Sequence, residues 1–437
     1  MRVATSLALH GGEKTVVDGS ADLFAWPIVT PEDEAAVLDV LRRGRMSHNE
    51  VTLEFEREIA AWHGVPHALG YCNGTASLLG AMWACGVGAG SEIIAPSLTY
   101  WASVLPALSL GGSVVFADVQ PDTLCIDPND LEHRITPRTK AIVVVHLYGH
   151  PCDMDPILAL ARRHHLKVIE DVSHAHGGFY KGRRLGTLGD VACMSLMSGK
   201  ALACGEGGML LTSDRELWER AVAFGFYERT GKSQFAQSGE RILHSELQRF
   251  AGMPLGGHKH RMNQTCSAMG RVQLKHYAER MKEIQAAMNL FWDCLEGTPG
   301  IRPHRVARDS GSTMGGWYCA AGHYLPEELG GLPLDAFCKA VTAEGVRTAR
   351  CANAPLHLHP LLHEADVYGH GRPTVLAHSD RDTRQGPGSL PKTEATPQRI
   401  LHVPWFKHLR EEPIRRHAEA FRKVAEHAEE LGKDLRG

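Results

Sequence analysis

A lysine and a carboxylate lie about thirty residues apart in this sequence, each close to the end of a predicted strand. Asp171 follows the apolar run 166–169, and Lys200 follows a second apolar run at 191–196. Because ligands collect at the carboxyl ends of parallel strands, both side chains can reach one ligand there. A lysine for a Schiff base and an acid facing a pyridinium nitrogen are what pyridoxal 5'-phosphate (PLP) requires. The spacing therefore indicates a PLP site with Lys200 as its catalytic residue.

The residues around this pair form a longer ordered set. Its members, in order, are Glu170-Asp171-x-x-His174-x-His176-Gly177, Gly189-Asp190, Ser195, Lys200 and Gly205-Glu206-Gly207-Gly208. This set resembles the core motif of the DegT/DnrJ/StrS aminotransferases, which are fold-type-I PLP enzymes that aminate keto-sugars and keto-cyclitols. The resemblance extends from about residue 30 to the C-terminal helix. It implies that Lys200 bonds to the cofactor and, once released, moves a proton.

The resemblance also implies cofactor contacts for residues on both sides of the lysine. Asp171 is expected to pair with the pyridinium nitrogen and so to keep the ring electron-withdrawing. His174 occupies the position where many family members have a glutamine that contacts the ring hydroxyl. Ser195 matches a position that binds the phosphate. Tyr100 matches the aromatic residue that stacks on the ring, with the adjacent Trp101 as the alternative.

A second stretch suits the phosphate of the cofactor. Backbone amides at the start of a helix are good phosphate donors. The run 73–77, Asn-Gly-Thr-Ala-Ser, follows a predicted strand and opens a predicted helix. It resembles the SGTAAL turn of the family, in which Gly74 lets the backbone approach and Thr75 adds a hydroxyl. We therefore expect Gly74 and Thr75 to bind the cofactor.

One segment implies that two subunits share each site. The run 257–262, Gly-His-Lys-His-Arg-Met, resembles the family segment GYNYRM, whose asparagine reaches the phosphate of the neighbouring subunit. Lys259 stands at the asparagine position, and a cation satisfies a phosphate chemically. The resemblance therefore implies a homodimer with shared active sites, each completed by Lys259.

The elements that must position these residues have an α/β rhythm. Apolar β-branched strands alternate with amphipathic helices from residue 68 to 196, which predicts a mostly parallel sheet flanked by helices. This agrees with the PLP-dependent aminotransferase fold of type I. We expect an N-terminal arm at 1–30, a large PLP-binding domain at 31–295 ending in a long linking helix, and a smaller α+β C-terminal domain at 296–437.

Two segments match nothing in the family, and we expect them to shape substrate choice. The first is 231–256, which belongs to a segment at 231–257 predicted to be a long loop or insertion, and the second is 366–392. The preceding cluster of His357, His359 and His363 matches no metal motif, so we expect a polar surface loop and no metal site.

The charge and composition of the chain indicate which classes of binding partner and which compartment to expect. The formal net charge of −3 implies no general attraction to nucleic acid or to anionic membranes. No apolar run reaches the roughly 18 residues of a membrane span, and the N-terminus does not resemble a signal peptide. Eleven cysteines without a CxxC pair suggest reduced thiols, and hence a cytoplasmic protein.

The resemblance implies an aminotransferase that moves an amino group from glutamate or glutamine to a keto-sugar or keto-cyclitol in secondary metabolism. Two alternatives stay open at this point. One is a dehydratase or aromatising synthase of the aminohydroxybenzoate-synthase type, which His174 mildly favours. The other is a non-catalytic PLP-binding regulatory protein. Lys200 argues against those dehydratases of the family that lack the lysine.

Overall fold

A computed structural model of the protein describes residues 6–17, 21–230, 242–351 and 353–434. Strands and helices alternate through the first half of the chain, as the apolar runs predict. The strands are β1 (His67–Tyr71), β2 (Glu92–Pro96), β3 (Ser113–Ala117), β4 (Thr139–Val145), β5 (Lys167–Asp171), β6 (Phe179–Tyr180), β7 (Arg183–Arg184), β8 (Val191–Ser195), β9 (Gly208–Thr212), β10 (Ile301–Pro303), β11 (Ala321–Tyr324), β12 (Ala349–Arg350) and β13 (Ile400–His402). The helices are α1 (Pro31–Arg42), α2 (Glu50–His63), α3 (Gly74–Ala84), α4 (Pro106–Ser109), α5 (Pro128–Arg134), α6 (Met154–Arg163), α7 (Arg215–Gly225), α8 (Ser245–Gln248), α9 (Gln264–Cys294), α10 (Leu334–Ala343), α11 (Pro391–Ala395), α12 (Glu411–Glu426) and α13 (Ala428–Asp434).

Seven strands form the main sheet in the order β1-β9-β8-β5-β4-β2-β3. Neighbours from β8 to β3 are parallel, whereas β9 is antiparallel both to β8 and to β1. Six of the seven strands therefore share one direction, and the predicted mostly parallel sheet is confirmed. The carboxyl ends of those strands meet at one edge, where ligands of such sheets bind.

Side chains of β4 show how the sheet is covered on both faces. Ile142 and Val144 belong to one apolar cluster, and Val143 and Val145 belong to another. The first cluster includes side chains of α2, α6 and α9, and the second includes side chains of α3 and α7. A sheet buried on both faces needs continuous apolar strands, which is the pattern that the sequence contains.

The C-terminal region has a smaller sheet of its own. Its strands are antiparallel and ordered β10-β11-β13-β12, with α10 and α12 packed nearby. The 31-residue helix α9 contacts α1, α2 and α12, and so joins the two sheets. A smaller α+β C-terminal region is thus confirmed, while the exact domain boundaries at 30/31 and 295/296 stay predictions.

The described part of the N-terminal arm is packed against the rest of the chain. It contains two short 3-10 turns, Ala8–His10 and Ala21–Phe24. Leu7 and Leu23 are fully buried, and the backbone N–H of Ala8 donates to Glu344 at 2.8 Å. The arm therefore contributes to the core of the C-terminal region.

The segment at 366–392 covers the edge strand β3. The Gln385 amide pairs with the backbone of Phe116, accepting from its N–H at 2.7 Å and donating to its carbonyl at 2.8 Å. Arg381 pairs with the buried Glu92 of β2 at 2.7 Å. These contacts occupy an edge that would otherwise expose unpaired backbone groups.

Two further predictions from the sequence concern the loop at 231–256 and membrane-spanning helices. Of the predicted loop at 231–256, residues 231–241 lie outside the described residues, and the remainder contains α8. Among the helices that the structure describes, not one has both the length and the apolar character needed to cross a bilayer.

Candidate active site

A cavity of about 740 Å³ lies at the carboxyl ends of the parallel strands. Its walls come from the β1–α3 turn, the loop after β2, the ends of β4 and β5, the loop after β8, and several C-terminal segments. Seven of the eight predicted site residues line it, namely Lys200, Asp171, His174, Ser195, Gly74, Thr75 and Tyr100. The fold thus brings together residues that lie up to 126 positions apart in the sequence, from Gly74 to Lys200, while their roles stay predictions.

Lys200 lies in the loop after β8, and its backbone is held on both sides. Its N–H donates to the Met197 carbonyl at 2.8 Å, and its own carbonyl accepts from the indole N–H of Trp26 at 2.8 Å. Burial lowers the pKa of the Lys200 amine to about 8, against a weaker opposing effect of the Asp171 charge. Since the ordinary lysine pKa is about 10.4, the uncharged, nucleophilic amine is far better populated here near neutral pH.

Asp171 is the last residue of β5 and faces two hydrogen-bond donors. Its carboxylate accepts from Ser103 Oγ at 2.7 Å and from the backbone N–H of Ser173 at 3.0 Å. Thr99 Oγ1 lies 3.0 Å from Ser103 Oγ and extends this network. These hydrogen bonds fix the orientation of the Asp171 carboxylate. Sequence analysis does not identify Ser103, because it comes from the separate loop after β2.

Glu170, the other acid of the motif, has a structural task. It is fully buried, and its carboxylate accepts from the backbone N–H groups of Gly186, Leu188 and Gly189 at 2.7–2.9 Å. Burial raises its pKa, but the contact with His146 at 3.1 Å and these amides outweigh burial and hold the pKa below its usual value. Glu170 thereby ties the turn before β8 to β5.

His174 is buried beside the lysine and is neutral. Burial and the nearby charge of Lys200 hold the pKa of the His174 ring well below its usual value. The backbone N–H of Tyr148 donates to His174 Nδ1 at 3.4 Å, so the proton of the neutral ring belongs on Nε2. His174 therefore keeps one N–H donor available at the cavity wall, which suits its predicted contact with a ring hydroxyl.

The turn into α3 is built for a close approach. Asn73 caps the helix by accepting from the N–H of Ala76 at 2.8 Å. A Cβ atom at Gly74 would lie only 2.7 Å from Ser195 Cβ, so glycine is required where the helix start meets the end of β8. Thr75 and Ser195 add hydroxyls to the free amides of this helix start, and such a donor set fits a phosphate.

Tyr100 and Lys259 are the two predicted site residues with exposed side chains. Tyr100 and Trp101 both line the cavity, their ring centroids are 5.0 Å apart, and both are about half exposed, so both rings stay candidates for stacking on the cofactor. Lys259 is exposed and does not line the cavity of its own chain. Its neighbour His260 accepts from the N–H of Cys72 at 2.7 Å, which places this segment beside the α3 turn.

The C-terminal region supplies a wall of the cavity that sequence analysis does not identify. This wall comprises Tyr318, Cys319, Asn353, Ala354, Pro355, Leu356, His359 and His402. No local spacing marks these residues, because they lie more than a hundred residues after Lys200 and approach it only through the fold.

His357 anchors that wall to the main sheet. Its ring lies 2.8 Å from Ser97 Oγ and 3.1 Å from Glu394 Oε1, and its backbone N–H donates to Ser97 at 3.0 Å. The expectation of a polar surface loop is therefore wrong for His357, whose side chain is buried between the loop after β2 and α11. The residues that line the cavity from 353 to 359 are held by this contact.

The family model of the DegT/DnrJ/EryC1/StrS aminotransferases matches residues 27–422 of the chain. The L-glutamine:2-deoxy-scyllo-inosose aminotransferase of Micromonospora echinospora is 35% identical over 367 residues, which cover 82% of this chain and 84% of the relative. Both findings agree with the residues gathered in the cavity.

Solved structures show the same architecture. The structure of DesI with its TDP-sugar product superposes with a TM-score of 0.77 at 27% identity, covering 99% of each chain. The structure of 3-amino-5-hydroxybenzoic acid synthase superposes with a TM-score of 0.75 at 26% identity, covering 92% of this chain and 99% of the other. The expected fold of the PLP-dependent aminotransferases is thereby confirmed.

Proposed function

The chain belongs to the DegT/DnrJ/EryC1/StrS aminotransferase family, and from this premise we propose that it uses PLP to transfer an amino group from glutamine or glutamate to a keto-cyclitol or keto-sugar. The observation that carries the proposal is the meeting of Lys200 and Asp171 in one cavity with a phosphate-type donor set at the start of α3. The acceptor in the name of the Micromonospora relative, 2-deoxy-scyllo-inosose, supports the cyclitol class, and we propose that the reaction belongs to secondary metabolism.

The residues present fit PLP. Asp171 would pair with its pyridinium nitrogen, His174 with its ring hydroxyl, and Tyr100 or Trp101 would stack on the ring. The close approach at Gly74 brings the start of α3 against Ser195, so that amides of the turn and the Ser195 hydroxyl lie together, as a phosphate site requires. When bound, PLP supplies an aldehyde that bonds to amines and a ring that withdraws electrons from the carbon being protonated or deprotonated.

Lys200 is the residue that we propose moves the proton. Its amine, with a pKa of about 8, can accept a proton near neutral pH and return it. The hydrogen bonds of the Lys200 backbone to Met197 and Trp26 hold the main chain from which the side chain extends, both when the amine accepts the proton and when it returns it. The hydrogen bond from Ser103 Oγ would hold the Asp171 carboxylate in place for the pyridinium nitrogen.

The cavity favours an uncharged acceptor. Among the described residues that line it, Lys200 is the sole lysine or arginine. The same lining includes the polar side chains of Asn353, His359 and Thr99. Within the described lining of the cavity, a nucleotide diphosphate would find no lysine or arginine besides Lys200, whereas the hydroxyls of a cyclitol or free keto-sugar would find hydrogen-bond partners.

We further propose a homodimer in which Lys259 of each subunit completes the partner's phosphate site. Three features support it: Lys259 is exposed, it is absent from its own cavity, and Phe250 and Met253 in the preceding segment are exposed apolar residues. Equal mixing of inactive Lys200→Ala and weakened Lys259→Ala chains should restore part of the activity, because one of the two mixed sites then has both lysines. Failure to recover activity would argue against shared sites.

A cytoplasmic location stays part of the proposal, and it is supported by the eleven cysteines, all of which are free thiols. The aromatising-synthase alternative has one observation in its favour, namely the structural similarity to 3-amino-5-hydroxybenzoic acid synthase. A non-catalytic regulatory role is not supported, since the family and the relative are aminotransferases.

Absorption spectroscopy of the purified protein tests the proposal. Added PLP should give a visible band in the wild type that is absent in Lys200→Ala. Glutamine or glutamate should then move the absorption to the ultraviolet, and a keto-cyclitol should restore the visible band and give an amine detectable by mass spectrometry. A protein that takes up PLP but eliminates water from the substrate without any need for an amino donor would instead be a dehydratase or aromatising synthase.

A further inference from the structure

The Lys200 amine lies on the face of an aromatic ring that the proposed reaction does not yet use. Lys200 Nζ is 3.8 Å from the centroid of the Tyr318 ring. The same ring lies 4.6 Å from the ring of His174. The face of an aromatic ring carries negative charge density and attracts an ammonium group. The Tyr318 ring therefore binds the charged form of the Lys200 amine at the cavity wall.

The backbone around Tyr318 is strained on both sides. The φ angle is 54° at Trp317 and 54° at Cys319, a left-handed conformation that residues other than glycine rarely adopt. Such strain persists only where the surrounding structure holds it, and it clusters at functional sites. Trp317 is held because its ring is buried and its Nε1 donates to Gln285 Oε1 at 2.8 Å. The fold thus maintains an unfavourable backbone that presents Tyr318 to Lys200.

Two tryptophans connect Tyr318 to the backbone of the lysine. The Trp405 ring packs edge-on against Tyr318, with centroids 5.8 Å apart and planes at 85°. Trp26 lies 6.2 Å from Trp405 and donates its indole N–H to the Lys200 carbonyl at 2.8 Å. We call Trp26, Tyr318 and Trp405 the aromatic bracket. It contacts Lys200 at both ends, the carbonyl through Trp26 and the amine through Tyr318.

We propose that Tyr318 is a positioning residue for the Lys200 amine and that Trp26 positions the lysine backbone. This inference rests on the proposed function, in which Lys200 Nζ carries a proton. Whenever the amine is not bonded to the cofactor, the Tyr318 face holds it within the cavity, so that the proton is returned from a fixed position. The other groups that influence the charge of this amine are Asp171, Cys319, His174 and His176.

Three variants separate the ring face from general packing. Tyr318→Phe keeps the aromatic face, Tyr318→Leu keeps an apolar side chain without that face, and Tyr368→Leu is the same change at an exposed tyrosine outside the cavity. In cofactor-free protein, the pH dependence of Lys200 acetylation, followed by peptide mass spectrometry, reports the pKa of the amine. We expect Tyr318→Leu to lower that pKa by about half a unit to one unit relative to Tyr318→Phe, because an attraction for the charged form is lost.

A second readout uses the PLP-loaded protein. The rate of the spectral change with saturating glutamine should fall about tenfold in Tyr318→Leu and should be largely restored in Tyr318→Phe, as expected for about 1.4 kcal/mol of lost positioning. The glutamine concentration at half-maximal rate should stay unchanged. In Trp26→Phe, which keeps the ring and loses the N–H donor, the same rate should fall while PLP is still bound.

Several results would overturn the inference. It fails if the Lys200 pKa and the rate of the spectral change are the same in Tyr318→Leu and Tyr318→Phe, whether both variants match the wild type or both fall below it by the same amount. Should Tyr318→Leu not fold, a wild-type rate in Trp26→Phe would still refute the bracket. A wild-type protein that takes up no PLP refutes the proposed function instead, and the acetylation experiment then still decides whether Tyr318 acts on Lys200.

Discussion

Replacement of Gly74 by alanine tests the phosphate site through a single methyl group. The added Cβ would lie 2.7 Å from Cβ and 2.9 Å from Cα of Ser195. Carbon atoms in favourable contact are about 3.5–4.0 Å apart, so the start of α3 must move from the end of β8 by about 1 Å. Overpacking of this kind costs about 1–3 kcal/mol of folding free energy.

The same displacement should weaken the binding of PLP. Amides moved by about 1 Å no longer make good hydrogen bonds to a phosphate, and each bond to a charged group contributes about 1.5–3 kcal/mol. The Kd for PLP should therefore rise by about 10- to 150-fold. Gly88→Ala is the matched control, because Gly88 follows α3, has no atom within 4 Å of an added Cβ, and lacks a left-handed φ angle.

Absorption titration of the cofactor-free protein with PLP measures this Kd, and denaturation in urea measures the loss of stability. Gly88→Ala should match the wild type in both. If Gly74→Ala bound PLP with wild-type affinity while its stability fell, the start of α3 would not be the phosphate site. If neither quantity changed, the close approach to Ser195 would itself be refuted.

Three further outcomes follow from the contacts of other buried groups. Glu56→Gln should destabilise the fold by about 3–5 kcal/mol in urea denaturation, because Arg229 lies buried against both Glu56 carboxylate oxygens at 2.8 and 2.9 Å. The control is Glu58→Gln on the same helix, which breaks a half-exposed pair with Arg271 and should cost less than about 1 kcal/mol. The rate of PLP uptake should rise with pH and level off above about pH 8, because burial lowers the Lys200 pKa to about 8 and only the uncharged amine attacks the PLP aldehyde. A rate that continued to rise up to pH 10 would contradict this pKa. His357→Ala should raise the KM for the ketone without changing the glutamine-driven spectral shift, because it frees the wall at 353–359 and leaves the α3 turn intact.

The main sheet was predictable because each of its strands is marked by a pattern of neighbouring residues in the sequence. Each buried parallel strand needs a short apolar run, and each run can be read without knowledge of its neighbours, as with Val143 and Val145 in β4. Asp171 and Lys200 were identifiable for a related reason, since both follow such runs and the ends of parallel strands converge. The order of the strands, with β9 antiparallel between β1 and β8, has no comparable local signal.

The environment of each site residue depended on segments distant in the chain. Ser103 binds Asp171 from the loop after β2, and Trp26 binds the Lys200 carbonyl from the N-terminal arm. Neither contact follows from a motif, because a serine or a tryptophan in an irregular segment has many possible partners. His357 illustrates the same limit: its neighbours in sequence suggest a surface loop, while Ser97 and Glu394 bury it.

By itself, the sequence determined the fold class, the family, and the lysine and acid at its centre, because those features rest on short apolar runs and on residues at fixed spacings. The tertiary structure alone decided that burial lowers the pKa of the Lys200 amine to about 8, and that the amine lies on the face of the Tyr318 ring. Desolvation and ring contacts depend on which distant segments pack around a group, and that packing exists only once the two sheets and the arm have come together.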